Sequence, residues 1–330
     1  MPAFIHKTNE LLSALSDLTV LVTGCSGFLG STLVAMLQQL QVKVIGVSRT
    51  AASPDVSASM IWRQGDVGKR DIWEAVFDRQ IDAVFHCAAQ TSAYTANNAP
   101  EIDLNNNVVP MIHLLDTCRR LAIKPFIVLA STITISGLAQ VAFIDEDTQD
   151  APLTVYDLHK LFLEKYLRSY IARGLARGTA LRLANVYGPG PLSSNADRGI
   201  LNQMIHRAIR GEPLRVYQPG TFVRDYLHVH DAATAFLLAA ARTEVTNGRH
   251  FVIGTGIGRS LLDAANLVAA RVGERTGVNV SVELVPSLND HSLIEKRQYA
   301  VDSKQFRDVT GWQPHISLPE GILTVMEETR

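Results

Sequence analysis

Leu18-Thr-Val-Leu-Val-Thr-Gly-Cys-Ser-Gly-Phe-Leu-Gly30 is the stretch that decides the fold of this chain. An apolar run over 18–22, typical of a buried strand, leads into glycines at 24, 27 and 30 and then into a helical pattern over Phe28–Leu40. Glycine permits a tight turn, close approach of the backbone to a pyrophosphate, and close packing of the helix on the sheet. The helix N-terminus offers free N–H groups to phosphate oxygens. This context favours a dinucleotide-binding turn over a purely structural one.

Strand-like and helix-like segments alternate through the first half of the chain. Continuous apolar runs, typical of strands covered on both faces, occur at Thr19–Thr23, Val42–Val47, Ala83–His86 and Phe126–Ala130. Helical patterns follow at Phe28–Leu40, Lys69–Arg79, Asn107–Leu121 and Val155–Arg173, and a further strand-like run at Thr179–Leu183. The alternation predicts an α/β fold with a doubly wound parallel sheet of the Rossmann type.

The chain divides into three predicted parts. Residues 1–17 form an N-terminal extension, in which Leu11, Leu12 and Leu15 have the spacing of a short amphipathic helix. Residues 18–188 form the NAD(P)-binding Rossmann domain. Residues 189–330, where shorter elements are broken by Gly and Pro, form a smaller C-terminal substrate-binding lobe that exchanges some segments with the first domain.

Composition narrows the class of protein. The 330 residues are 47% hydrophobic and 19% charged, with a net charge of −1, so neither a nucleic-acid surface nor a disordered tail is expected. No apolar run is long enough to cross a membrane. Cys25, Cys87 and Cys118 fit neither a disulfide framework nor a zinc site, which favours a cytoplasmic protein. His228 and His230 lack an accompanying ligand cluster, and no metal is expected.

A second glycine-rich stretch, Gly254-Thr-Gly-Ile-Gly258, also lies between a strand-like segment and a helical one. It comes late in the chain, with no βαβ unit after it. Ser260 is a good helix N-cap at this point. These features favour a structural loop over a second nucleotide site.

Tyr156 and Lys160 stand four residues apart in a predicted helix and therefore share one face. The lysine ammonium and the positive charge of an oxidised nicotinamide both favour the tyrosine phenolate. Tyr156 is then able to act as a general base in oxidation or a general acid in reduction. The Tyr-x-x-x-Lys spacing alone is common by chance, but its place after the predicted strand Phe126–Ala130 and the glycine turn favours a catalytic pair.

Together, Thr23-Gly-x-x-Gly-Phe-Leu-Gly30 and the Tyr156/Lys160 pair resemble the extended short-chain dehydrogenase/reductase superfamily, within it the NAD-dependent epimerase/dehydratase family of nucleotide-sugar enzymes. The resemblance covers residues 18 to 325. It implies cofactor contacts from the residues Gly24, Ser26, Gly27, Phe28, Leu29, Gly30, Ser48, Arg49, Asp66, Val67, Ala88, Ala89, Asn107, Tyr156 and Lys160.

The end of the predicted strand Phe126–Ala130 should supply a catalytic hydroxyl. Counting back from Gly137, the resemblance assigns it to Thr132, with Ser131 as the alternative. Ser136 replaces the aromatic residue that the family pattern has on this wall of the site. The sugar dehydratases of the family carry Asp-Glu where this chain has Ile133 and Thr134, which argues against 4,6-dehydration.

Arg49 sets the expected cofactor preference. In NAD-binding domains a carboxylate after the second strand binds the ribose, whereas an arginine nearby accommodates the 2′-phosphate of NADP. The second strand here ends Gly46-Val-Ser-Arg-Thr50, with no carboxylate. NADP is therefore favoured, with NAD as the alternative.

Three segments resemble the substrate side of the nucleotide-sugar enzymes. Arg182-x-x-Asn-Val-Tyr-Gly-Pro-Gly190 implies a diphosphate contact from Asn185. Arg224-Asp-Tyr-x-x-Val-x-Asp231 implies another from Arg224, and a C-terminal segment implies a basic contact from Arg297. Val216, with Tyr217, falls where the family packs the nucleobase. A guanidinium suits diphosphate oxygens because its donors form a planar fork.

The sequence thus predicts an NAD(P)-dependent epimerase or 4-ketoreductase of a nucleotide-diphosphate sugar. A dehydrogenase of an apolar alcohol or ketone and a non-catalytic NADP-binding sensor are the alternatives. The two helices Asn107–Leu121 and Val155–Arg173 resemble those that pair in family dimers, so a homodimer is expected.

Overall fold

The computed structural model describes residues 15–50, 60–191, 199–286 and 293–328. Leu11 and Leu12 of the predicted amphipathic helix lie outside these residues, whereas Leu15 is fully buried. The strands are β1 (Thr19–Thr23), β2 (Lys43–Ser48), β3 (Met60–Gln64), β4 (Ala83–His86), β5 (Phe126–Thr132), β6 (Arg177–Leu183), β7 (Asn185–Tyr187), β8 (Leu214–Tyr217), β9 (Val223–His228), β10 (His250–Ile253), β11 (Gly258–Ser260) and β12 (Val282–Val285).

The described helices are numbered in the same way. They are α1 (Phe28–Gln39), α2 (Arg70–Val76), α3 (Ala93–Asn98), α4 (Pro100–Asp103), α5 (Val109–Arg120), α6 (Val155–Ala172), α7 (Ile200–Ile209), α8 (Val229–Ala241), α9 (Thr243–Thr246), α10 (Leu261–Thr276), α11 (Lys304–Thr310) and α12 (Leu318–Glu328). A π-helical turn at Leu104–Val108 precedes α5, and a 3₁₀ turn at Ile133–Ser136 follows β5. None of these helices is both long enough and apolar enough to span a bilayer.

The central sheet has seven parallel strands in the order β3-β2-β1-β4-β5-β6-β10. The predicted doubly wound Rossmann-type sheet is confirmed. Strand order reverses direction between β1 and β4, and ligands of such sheets bind in the crevice at the carboxyl ends of the strands at this point. The glycine turn leaves β1 at that edge.

Helices cover both faces of the sheet, which explains the continuous apolar character of the strands. α1 and α8 contribute Leu33 and Phe236 to the core on one face. α2, α5 and α6 contribute Trp73, Leu114 and Leu163 to the core on the other. Successive side chains of a strand point to opposite faces of the sheet, so a sheet covered on both faces requires apolar residues at successive positions.

A smaller lobe carries its own core among α7, α10 and α12, together with a sheet of β11, β9 and β7 and the parallel pair β12 and β8. The seventh strand of the main sheet, β10, pairs with β6 although it belongs to the C-terminal part of the chain. Residues 189–330 therefore contribute to both sheets.

Asp225 on β9 connects the two sheets. Its buried carboxylate accepts hydrogen bonds from the backbone N–H groups of Thr255 and Gly256, at 2.9 Å each, and from that of Val301. Burial raises the pKa of Asp225, and these donors oppose the rise. The contacts account for the conformation of the second glycine-rich stretch as a structural loop.

The helix predicted over Asn107–Leu121 begins two residues later, at Val109. Pro110 has no backbone N–H to donate to the carbonyl four residues earlier, so the preceding turn lacks that bond of a regular α-helix. The chain forms the wider π-helical turn there, and Asn107 lies within it.

Candidate active site

The glycine turn forms a close-fitting cradle at the end of β1. Gly24 has φ +67°, and a Cβ atom on it would lie 2.9 Å from the backbone of Ala88. A Cβ atom on Gly30 would lie 2.1 Å from the carbonyl oxygen of Gly24, so α1 approaches the turn only without a side chain there. Gly27 is the exposed N-cap of α1 and has no side chain to bind the first N–H groups of the helix. The turn therefore fits a phosphate-bearing dinucleotide.

Thr23 joins the two strands that flank the crevice. Its hydroxyl oxygen accepts hydrogen bonds from the backbone N–H groups of Cys87 and Ala88, both at 3.2 Å. The hydroxyl hydrogen is then directed to Nδ1 of His86, 3.0 Å away. The ends of β1 and β4 are thus fixed relative to one another, with Ala88 next to Gly24.

Arg49, Ser48 and Asp66 lie where the adenosine half of a cofactor is expected. Arg49 is exposed at the end of β2, and Ser48 is buried with its hydroxyl donating to the carbonyl of Thr50. Asp66 is exposed after β3, and its carboxylate accepts the N–H of Gly68 at 2.8 Å. Half-buried Val67 follows Asp66.

The side chain of Asn107 is engaged in hydrogen bonds within the protein. Its Oδ1 accepts the backbone N–H of Gln90, and its Nδ2 donates to the carbonyl of Gln90 and to the buried carboxylate of Asp103. Asp103 also contacts Nδ1 of His159, at 2.6 Å. With both amide hydrogens engaged, Asn107 holds the loop after Ala89 in place, and its contact with the cofactor stays a prediction.

Tyr156 and Lys160 are buried together on the first turns of α6, with 7% and 3% of their surface exposed. Nζ of Lys160 donates to the carbonyl of Ala130 on β5 at 2.9 Å and lies 5.8 Å from the centroid of the Tyr156 ring. Burial, with a smaller contribution from the Lys160 charge, lowers the pKa of His86 to about 3. The Lys160 ammonium therefore donates a hydrogen bond at the end of β5 and affects the pKa of a histidine at the end of β4.

Two hydroxyls at the end of β5 point to different partners. Ser131 donates to Glu164, whose carboxylate is held by Arg182 in a buried ion pair. Thr132, on the opposite face of the strand, lies 2.9 Å from the hydroxyl of Thr134 and accepts the N–H of Thr134 at 3.2 Å. This difference favours Thr132 over Ser131 as the hydroxyl facing the crevice.

On the substrate side, Arg224 and Arg297 lie together. The Arg224 guanidinium donates to the carbonyls of Glu295 and Arg297 and stacks over the ring of Tyr299 at 5.4 Å. Asn185 accepts the hydroxyl of Tyr299 at 2.5 Å. The predicted diphosphate contacts are thus brought together around one aromatic ring that sequence reasoning missed.

Arg297 is almost fully buried and pairs with the carboxylate of Asp157, the residue after Tyr156. Asp157 is fully buried, and it also accepts the hydroxyl of Thr134 at 2.6 Å and the N–H of Thr154 at 3.0 Å. Sequence reasoning missed Asp157 and Thr134. The spacing Thr154-x-x-Asp157, a helix capping box, was the available signal for Asp157.

Val216 lies away from this cluster. Its side chain is fully buried in the core of the smaller lobe, among residues of α7, α10 and α12. The neighbouring ring of Tyr217 is 53% exposed. The side chain of Val216 thus packs inside the lobe, and its nucleobase contact stays a prediction.

The pair His228 and His230 packs internally. Nδ1 of His228 accepts the backbone N–H of His230, and Nε2 contacts the hydroxyl of Thr324 at 3.0 Å. Within the described ranges, no group of three or more His, Cys, Asp or Glu side chains is arranged to hold a metal ion.

A family model described as "NAD dependent epimerase/dehydratase family" matches residues 20–254, more than half of the chain. The chain belongs to this family. Its members are enzymes of the extended short-chain dehydrogenase/reductase type, as the resemblance indicated.

Relatives of this epimerase/dehydratase chain agree with the assignment over nearly its whole length. It is 26% identical to a UDP-glucose 4-epimerase of Mycolicibacterium smegmatis over 93% of this chain and 97% of that protein. The structure of UDP-glucose 4-epimerase with UDP-glucose from Thermotoga maritima is 28% identical, with a TM-score of 0.83 over 94% of this chain and 98% of that one. The UDP-glucose 4-epimerase of Thermus thermophilus in complex with NAD is 25% identical, with a TM-score of 0.81 over the same shares of the two chains.

Proposed function

We propose that this protein is an NAD(P)-dependent epimerase of a nucleotide-diphosphate sugar, with Tyr156 as its general acid and base. The observation that carries the proposal is the burial of Tyr156 beside Lys160 at the carboxyl end of β5, which only β4 separates from the strand of the glycine cradle, β1. The similarity to UDP-glucose 4-epimerases supports the choice of reaction.

Each residue of the cluster has a role in this proposal. A nicotinamide dinucleotide held by the glycine turn would supply an acceptor, and then a donor, for the hydride of the sugar carbon. Tyr156 takes the hydroxyl proton of the same carbon and gives it back after the keto sugar has turned over. The Lys160 ammonium favours the phenolate, and Thr132 orients the reacting oxygen. Arg224, Asn185 and Arg297 bind the diphosphate.

Arg224 and Arg297 have internal partners that a diphosphate would have to share or replace. Arg224 is bound to three backbone carbonyls, which are neutral, and a diphosphate competes well for a guanidinium against neutral acceptors. Arg297 is bound to a carboxylate instead. In the proposed complex Arg224 therefore makes the stronger diphosphate contact.

The test incubates the purified protein with NAD or NADP and a panel of UDP-, dTDP-, GDP- and CDP-sugars, and separates the products. An epimerase interconverts two sugars with no net change in absorbance at 340 nm. Tyr156→Phe is expected to bind the cofactor and lose at least about a hundredfold in turnover. Turnover by Tyr156→Phe equal to that of the native protein, with cofactor bound, would sink the mechanism.

A 4-ketoreductase is the second candidate, and exposed Arg49 at the end of β2 favours it because NADPH is the usual reductant. Such an enzyme would consume NADPH stoichiometrically with a keto sugar. Failure of all four nucleoside diphosphates to raise the melting temperature would instead favour an apolar alcohol, or a sensor without turnover.

A further inference from the structure

A chain of hydroxyls and one carboxylate runs from Thr132 to Asp157. The Oγ1 atoms of Thr132 and Thr134 are 2.9 Å apart, and that of Thr134 lies 2.6 Å from Oδ1 of Asp157. Thr132 and Asp157 are 9% and 0% exposed. The contacts link the end of β5 to the first turn of α6, between the proposed catalytic hydroxyl and the residue beside Tyr156.

The carboxylate of Asp157 is surrounded by donors. The Arg297 guanidinium pairs with Oδ2, and the N–H groups of Thr154 and Leu153 donate to the same oxygen at 3.0 and 3.3 Å. The Thr134 hydroxyl lies at the other oxygen, Oδ1. Asp157 is therefore placed to fix the direction of this hydroxyl.

The carboxylate paired with Arg297 fixes the direction of the two hydroxyl hydrogens. A threonine hydroxyl has one hydrogen, and a carboxylate can only accept. The Thr134 hydroxyl donates its hydrogen to Asp157, so the Thr134 oxygen must be the acceptor in the contact with Thr132. The Thr132 hydrogen is then directed to Thr134, and the Thr132 oxygen also accepts the N–H of Thr134 at 3.2 Å. One lone pair of Thr132 is left after these contacts.

We propose, on the basis of the function proposed above, that Thr134 and Asp157 are positioning residues that fix the Thr132 hydroxyl. They turn its hydrogen away from the reacting group and present a lone pair to it. Thr132 then acts as an acceptor for the Tyr156 phenol O–H in the interval during which Tyr156 carries the proton taken from the sugar hydroxyl. Ser131 cannot take this place, because its hydroxyl is bound to Glu164 on the other face of β5.

The kinetic test uses Thr134→Val, which keeps the shape of the side chain and removes its hydroxyl. We expect kcat to fall about tenfold, with KM and the cofactor dissociation constant unchanged, because orientation acts on the chemical step. Thr134→Ser, which restores a hydroxyl, should recover most of the rate. Thr179→Val is the matched control: it removes a buried hydroxyl that donates to the carbonyl of Arg249, far from the site, and should leave kcat unchanged.

A double-mutant cycle separates positioning from a general effect on structure. If Thr134 acts only through Thr132, adding Thr134→Val to Thr132→Val should cause no further loss of kcat. Fully additive losses, or a rate for Thr134→Val equal to that of the native protein, would overturn the proposal. Asp157→Asn is unsuitable as the main variant, since it also leaves the buried Arg297 guanidinium without its charged partner.

A measurement without turnover keeps this inference separate from the proposed function. Neutron diffraction from deuterated crystals of the whole protein should show the Thr134 deuterium on the line to Asp157 and the Thr132 deuterium on the line to Thr134. A Thr132 deuterium pointing elsewhere overturns the orientation even if the protein is an epimerase. If no nucleotide sugar is turned over, the proposed function fails, and the deuterium positions still decide the orientation.

Discussion

The guanidinium of Arg297 pairs with the carboxylate of Asp157, two side chains that lie 140 positions apart in the sequence and are both almost completely enclosed. Asp157 is the immediate neighbour of Tyr156 on α6. The C-terminal part of the chain therefore determines the surroundings of the proposed catalytic helix, and the pair affects both stability and chemistry.

Removing one partner of this pair should be costly. Arg297→Met leaves an uncompensated buried carboxylate, and we expect the free energy of unfolding to fall by about 3 kcal/mol or more in urea titrations. The double variant Arg297→Met/Asp157→Asn should recover part of this loss. Lys304→Met breaks a pair with Asp308 that is exposed on both sides, and should change stability little. If Arg297→Met and Lys304→Met lower the free energy of unfolding equally, the buried pair is no more important than the exposed one and the prediction is wrong.

Acid should destabilise the fold through His228. Burial, and next the charge of His230, lower its pKa to about 3, whereas an unfolded histidine titrates near 6.5. Between these values the unfolded chain binds a proton that the folded chain does not. Stability is therefore complete above pH 6.5 and falls towards pH 3, by about 1.4 kcal/mol for each pH unit.

His228→Gln tests this slope, since glutamine keeps a donor for Thr324 and does not titrate. The dependence of unfolding free energy on pH should become shallower by one proton between pH 6 and 4. The contribution of His86, whose pKa burial also lowers to about 3, should remain. Parallel curves for the native protein and His228→Gln would show that His228 is not involved.

Arg49 should determine which dinucleotide binds more tightly. We expect NADP to bind better than NAD, and Arg49→Ala to weaken NADP about tenfold while leaving NAD unchanged, because a charge-assisted hydrogen bond to the 2′-phosphate is lost. Isothermal titration measures both dissociation constants. Lys43→Ala, which removes an exposed cation from the opposite end of β2, is the control. Tighter binding of NAD by the native protein, as its presence in the Thermus relative would suggest, rules the preference out.

The exposed side of α6 should pair two copies of the chain. Leu158 and Phe162 are 54% and 43% exposed on this helix, an unusual position for large apolar side chains. Phe162→Glu should shift the mass measured by light scattering from dimer to monomer. Phe143→Glu changes an equally exposed phenylalanine outside the predicted interface and should leave the dimer intact. If the native protein is monomeric at every concentration measured, the predicted dimer is wrong.

Local sequence patterns were sufficient to predict most of the fold. The glycine turn and the alternating runs predicted the parallel sheet because their physical causes lie within a few residues of one another. The Tyr156/Lys160 pair was visible for the same reason, since one helical turn brings the two together. The sequence did not reveal that Thr134 reaches Asp157 or that Arg297 reaches the same carboxylate, because these contacts exist only after the chain has folded.

Asn107 and Val216 show the same dependence on the folded chain. Asn107 has the residue type expected for a ligand contact, but Gln90 and Asp103 occupy its amide group. Val216 was selected by its place in a pattern, and tertiary packing encloses it in the smaller lobe. Residue type and spacing identify a candidate; the neighbours that satisfy its polar groups, or cover its apolar ones, decide its use.

Asp225 has a consequence for how the protein closes over a substrate. Its carboxylate binds backbone groups that follow β10 in the large sheet while it stands on β9 in the small one. A hinge rotation of one lobe as a rigid body would break several hydrogen bonds to a single buried acid at once. Induced fit in this enzyme should therefore take place in surface segments around a stiff frame, with the two lobes keeping a constant mutual orientation between the empty and the loaded states.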